Sequence, residues 1–98
     1  MEIFHDKQER RTILLALKNL DDAESFRAFL ELDYNLICPD AGEDVSEKLI
    51  KLAGSISAAI IDIDIAMTDD FKVLRTASDD PLASTVPIII ATVREPTD

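Results

Sequence analysis

The sequence has few of the residues that cross-link or bind metal in small proteins. Its one cysteine, Cys38, cannot form an internal disulfide, and with His5 as the only histidine there is no cluster that could bind zinc. Two glycines and four prolines are too few for a disordered or fibrous chain. We therefore expect one globular domain in which Cys38 is buried as a small hydrophobic residue.

Long apolar runs are absent, and basic residues are scarce. No stretch approaches the roughly 20 apolar residues of a membrane span, and residues 1–11 lack the apolar core of a signal peptide. Twenty acidic and ten basic side chains give a net charge of −10, which repels phosphate backbones and anionic lipids. We expect a cytoplasmic protein that binds neither nucleic acid nor membranes through this segment.

Short apolar runs alternate with segments of helical spacing. The runs at 13–17, 34–38, 56–61 and 87–91 suit strands buried on both faces of a parallel sheet, and 21–32, 43–53 and 69–78 suit helices. Asp21 and Glu24 have the spacing of a capping box at the start of the first helix, and Gly54 is typical of the end of the second. The phenylalanines are expected in the core. This alternation predicts an α/β fold with an open parallel sheet in the order 2-1-3-4, as one domain over residues 1–98 with 1–11 as a lead-in.

Two carboxylates follow the third predicted strand. In such sheets, ligands gather at the carboxyl ends of the strands where strand order reverses, so residues after Ala16 and after Ile61 should face each other. At this point Asp62 and Asp64 suit a nucleophile or a metal ligand. Equally, Asp62 can simply accept hydrogen bonds from loop amides, with Asp64 a solvated charge. Position alone leaves both interpretations open.

The spacing around Asp62 resembles the phosphoacceptor segment of response-regulator receiver domains. In that family the acceptor aspartate ends the third strand, and an aspartate, a glycine and a phenylalanine open the next helix seven to nine residues later. Asp62, Asp69 and Phe71 stand at those distances, and Thr92 matches the family's switch hydroxyl. The resemblance runs from about Thr12 to Thr92. It implies a flavodoxin- or CheY-like fold and a histidine kinase as the possible phosphate donor.

The departures from the family concern its metal site. Receivers end their first strand with two acids that hold Mg²⁺, and these positions are Leu17 and Lys18 here. Neither side chain can supply the oxygen ligands that Mg²⁺ requires, so we expect no metal and no other cofactor. The Lys18 ammonium is expected beside Asp62 in place of the metal's charge. Three further residues are expected to line the site: Asn19, Asp64 and Val93.

The resemblance also implies missing parts. A full receiver continues after its fourth strand with a helix, a fifth strand that bears a phosphoryl-contacting lysine, and a last helix. Ala66 and Asp70 replace the proline and glycine usual in the family's loop after the third strand. Without a fifth strand and its flanking helices, residues 87–91 would form an exposed edge strand, which favours self-association.

Three functional hypotheses follow. The leading one is a pseudo-receiver without enzymatic activity that acts through contact with an output module or partner protein. The second is a conventional receiver phosphorylated on Asp62. The third is a haloacid-dehalogenase-like phosphatase that uses Asp62 and Asp64, although that family needs a downstream lysine and further acids.

Overall fold

The chain folds into a parallel four-stranded sheet with helices on both faces. The computed structural model describes residues 10–18, 20–40 and 43–92. Its strands stand in the order β2-β1-β3-β4, which confirms the predicted α/β fold and strand order. The elements are β1 (Thr12–Ala16), α1 (Leu20–Leu30), β2 (Asn35–Ile37), α2 (Val45–Leu52), β3 (Ala58–Asp62), α3 (Ile63–Asp79), a 3₁₀ turn (Ala83–Thr85) and β4 (Ile88–Ala91).

The two central strands carry the apolar core. Side chains alternate between the faces of the sheet, so neighbouring residues of one strand pack against different helices. On the face covered by α2 and α3, Leu14, Leu49 and Ile61 are completely buried. Leu14 of β1 and Ile61 of β3 thus pack with Leu49 of α2 in the core of this face. Each of these side chains contributes about 2 kcal/mol through its removal from water.

The opposite face has a smaller core under α1. Ile13, Leu15 and Ile60 are buried there, and Phe26 and Leu30 of α1 pack against them. Phe26 and Leu30 are four residues apart and therefore lie on one side of the helix. The register pairs Ala16 of β1 with Ile61 of β3, so the chain leaves both strands at the same edge. This confirms the expected juxtaposition of the residues after Ala16 and Ile61.

Several side chains lie elsewhere than the sequence predicts. Phe29 and Phe71 are exposed, whereas a core position was expected, and Phe4 lies outside the described residues. Phe29 precedes Leu30 and so points about 100° away from it around the helix. Cys38 is also exposed, because it follows the edge strand β2, whose own residues are only half-buried.

Helix boundaries differ from the prediction at α1 and α3. Since α1 begins at Leu20, Asp21 lies inside the first turn and does not precede the helix as a capping residue would. Helix α3 begins at Ile63, directly after β3, and not at Asp69. The predicted helix 69–78 corresponds only to its second part. Among the described residues, no helix is long and apolar enough to cross a membrane.

A left-handed segment interrupts α3. Thr68 is extended, and Asp69, Asp70 and Phe71 have φ values of 53°, 58° and 60°. The left-handed conformation costs an L-residue roughly 1–2 kcal/mol. The Arg75 guanidinium stabilises the segment, because it donates to the carbonyl oxygens of Asp69 at 3.0 Å and Asp70 at 2.9 Å.

Candidate functional site at the carboxyl edge of the sheet

Asp62 is the last residue of β3 and the N-cap of α3. The residue is only 6% exposed. One carboxylate oxygen, Oδ1, accepts the Asp64 backbone N–H at 2.9 Å, and the other, Oδ2, accepts the Lys18 backbone N–H at 3.2 Å. Asp62 therefore caps the helix and also ties the chain after β1 to the start of α3.

Lys18 contacts Asp62 through its main chain and not through its ammonium. The Lys18 Nζ atom lies 3.9 Å from Oδ2 of Asp64, where it forms a long ion pair between side chains that are 68% and 61% exposed. The prediction that the Lys18 ammonium lies beside Asp62 is therefore wrong. A lysine side chain that remains this exposed keeps its hydration, whereas Asp62 is buried and already bonded to two amides.

The remaining predicted residues lie at the same edge or outside the described residues. Leu17 is half-buried and follows β1. Thr92 is exposed and follows β4, whose Ala91 pairs with Asp62 in the sheet register. Asn19 and Val93 lie outside the described residues. The structure therefore places Leu17, Lys18, Asp62, Asp64 and Thr92 at one edge, while their functional roles stay predictions.

The donor set at this edge does not fit Mg²⁺. Magnesium prefers an octahedral array of oxygen ligands, usually from carboxylates and water. The described residues contain no group of three or more His, Cys, Asp or Glu side chains that could hold a metal ion. Leu17 has no ligand atom, and the ammonium of Lys18 would repel a cation. No reaction step through a metal can be derived from these residues.

A groove lined in part by Leu17 and Lys18 was not predicted from the sequence. It encloses about 550 Å³ between the ends of β1 and β2, the start of α2, and α3, and we refer to it as the α2–α3 groove. No motif marks it, because its walls come from four separate segments. The only sequence signal was the acidic start of the second predicted helix.

An ion pair joins the two helices that flank the α2–α3 groove. Asp44 Oδ1 accepts the backbone N–H groups of Ser46 at 2.9 Å and Glu47 at 3.3 Å, which caps α2. Its Oδ2 accepts from the Lys72 ammonium of α3 at 3.0 Å. The hydrogen bond from Lys72 is the main cause that lowers the pKa of Asp44, and the same bond raises the pKa of Lys72.

The chain was also compared with known proteins. No protein-family model, curated protein or solved structure matches it. The α/β fold therefore rests on the structure, and the receiver resemblance was identified from residue types and their spacing in the sequence.

Proposed function

We propose that this chain is a degenerate receiver-like signalling domain that acts in the cytosol through protein contact and without enzymatic activity. The observation that carries the proposal is the state of Asp62. At the position of the acceptor aspartate, a buried carboxylate is held by two backbone amides, and the neighbouring metal positions are Leu17 and Lys18.

This arrangement disfavours phosphoryl transfer to Asp62. Attack by a carboxylate on a phosphoryl group brings negative charges together, and a bound metal normally neutralises them. Here both carboxylate oxygens accept amide hydrogens, and the Lys18 ammonium lies beside Asp64. The same geometry disfavours Asp62 as the nucleophile of a phosphatase.

The conformation of the left-handed segment in α3 supports the receiver alignment. Asp70 stands where the family has glycine, and its φ of 58° lies in the left-handed region that glycine adopts without steric cost. The alignment thus places a glycine position on a residue whose backbone favours glycine. This agreement is independent of the identity of Asp62.

The sheet offers a surface for protein contact at β4. Within the described residues, β4 pairs only with β3, so its other edge has unpaired backbone groups. Ile89 and Ile90 are 52% and 36% exposed and point to opposite faces of the sheet. Exposed strand edges with apolar side chains recruit other chains, so we propose that an output module, a partner or a second copy binds here.

Magnesium and beryllofluoride test the proposal, since together they imitate a phosphorylated aspartate. We expect no saturable changes in the amide spectrum at Lys18, Asp62 or Thr92. Saturable changes at these residues in the unmodified protein would instead support a conventional receiver phosphorylated on Asp62.

A variant that restores the acids provides the positive control. Leu17→Asp with Lys18→Asp should gain Mg²⁺ binding if the edge has receiver geometry. Leu32→Asp with Lys51→Asp makes the same change in charge at exposed positions away from Asp62 and should not bind Mg²⁺. Equal binding by both double variants would mean that added charge alone attracts the cation, and would remove this support for the alignment.

A further inference from the structure

We propose that the α2–α3 groove binds a basic segment of a partner protein, with an aliphatic side chain in the groove and an arginine or lysine at its mouth. This inference rests on the proposed role in protein contact, and it adds a second contact surface that is separate from β4.

The floor of the groove is apolar. Ala16 and Val73 are buried, and Val45 and Ile65 are half-buried against the core of the α2 and α3 face. A volume of about 550 Å³ falls within the range of protein pockets that bind small molecules, roughly 300–1,000 Å³. An aliphatic side chain that enters the groove would cover the exposed parts of Val45 and Ile65 and displace water from them.

The residues that line the groove carry a net negative charge, because four carboxylates outnumber two ammonium groups: Asp40, Glu43, Asp44 and Asp69 against Lys18 and Lys72. Asp44 pairs with Lys72, and Glu43 pairs with Lys48 at 3.0 Å. Asp40 and Asp69 also line the groove and form no ion pair with the described residues, although the Lys72 ammonium interacts electrostatically with Asp69 at longer range. A cationic group can therefore approach Asp40 without displacing an ion-pair partner, whereas at Asp69 it would share the carboxylate with the Lys72 ammonium.

Charge also decides which class of protein segment fits. The whole chain carries −10, so an acidic segment would be repelled before it reached the groove, and a basic one would be attracted. A bare cation would satisfy Asp40 and Asp69 but would leave the apolar floor in water. The combination of apolar floor and acidic mouth thus favours a segment in which aliphatic and basic side chains alternate.

Occupancy of the groove would reach the Asp62 edge directly. Leu17 and Lys18 line the groove, and the Lys18 backbone N–H binds Asp62. A bound segment that presses on the chain after β1 would alter that hydrogen bond. The Lys18 amide resonance is therefore a sensitive reporter of binding.

The test uses the full 98-residue chain, labelled with ¹⁵N, and the capped peptide acetyl-Leu-Arg-Leu-Arg-Leu-amide. We expect saturable amide shifts confined to the groove and to Lys18. Asp40→Asn with Asp69→Asn should weaken binding about fivefold, since two exposed charge pairs are lost. Asparagine tolerates the left-handed conformation at position 69, so this variant should fold. Asp33→Asn with Asp79→Asn changes the net charge equally at exposed positions outside the groove and should bind as the unmodified chain does.

Three outcomes would overturn the proposal. The first is that both double variants weaken peptide binding equally. The second is that spermidine binds as tightly as the peptide does. Either result would show that net charge alone attracts the ligand. The third is unchanged binding by Thr68→Trp, in which a large side chain at a groove-lining position should block the peptide. None of these outcomes depends on beryllofluoride, so the groove can fail while the pseudo-receiver proposal stands.

Discussion

Asp70→Gly should stabilise the protein, although the substitution removes a side chain. Asp70 has a φ of 58° in the middle of the left-handed segment of α3. The left-handed conformation costs roughly 1–2 kcal/mol in an L-residue, at the lower end for aspartate. Glycine avoids that cost but loses about 0.5–1 kcal/mol more backbone entropy on folding.

The net gain should be about 0.5 kcal/mol. In a domain of this length 1 kcal/mol shifts the melting temperature by roughly 4–8 °C, so the expected rise is about 2–4 °C. The Asp70 carbonyl still accepts from Arg75 in the variant, because that hydrogen bond uses only the main chain. Thermal unfolding followed by circular dichroism measures the change.

Ser78→Gly is the matched control. Ser78 is exposed and lies in the right-handed part of the same helix, where glycine is unfavourable. It should therefore lower the melting temperature. If Asp70→Gly lowers it as well, residue 70 is not left-handed in solution, and the support that this residue gives to the receiver alignment is lost.

Three further predictions concern the edge, the groove and β4. Asp62→Ala should destabilise the fold by about 2 kcal/mol in urea unfolding, because the amides of Lys18 and Asp64 lose their acceptor. The control Asp64→Ala, at an exposed side chain, should cost less than about 0.5 kcal/mol. Equal costs for the two variants would refute the capping role of Asp62. Because the pKa of Asp44 is lowered in the folded protein, the ionised Asp44 stabilises the fold at pH values above the ordinary aspartate pKa, and this stabilisation is lost as the pH falls through the pKa of the folded state. Lys72→Met should raise the Asp44 pKa toward its ordinary value in a carbon NMR titration. An unchanged pKa would contradict the ion pair. Sedimentation should show self-association that Ile89→Lys reduces, and a stable monomer at micromolar concentration would contradict association through β4.

The strands and their order could be predicted because the core decides them. Continuous apolar runs alternate with helical segments, and only a few sheet topologies accept that pattern. The position of Asp62 at the carboxyl end of β3 could also be predicted, since the last apolar residue of a buried strand marks the edge of the sheet. These features depend on local composition and on general rules of chain connection.

The early start of α3 could not be predicted in the same way. Residues 63–68 contain no apolar stripe long enough to mark a helix, and the helix forms there because Asp62 caps it directly from β3. The sequence also could not predict that the Lys18 ammonium lies beside Asp64 and not beside Asp62. This position depends on the burial of Asp62 and the exposure of Asp64, which only the folded chain defines.

The capping role of Asp62 changes what its presence indicates about function. Aspartate is among the residues preferred before a helix, and its short side chain can accept amides from two segments at once. An aspartate at the end of β3 therefore has a sufficient structural reason here, with or without phosphoryl chemistry. Leu17 and Lys18 are the positions that distinguish helix capping from phosphoryl chemistry, because oxygen ligands on the side chains there would have no role in capping α3. Restoring acids there, while Asp62 stays unchanged, is accordingly the substitution that distinguishes a lost metal site from one that this edge of the sheet cannot form.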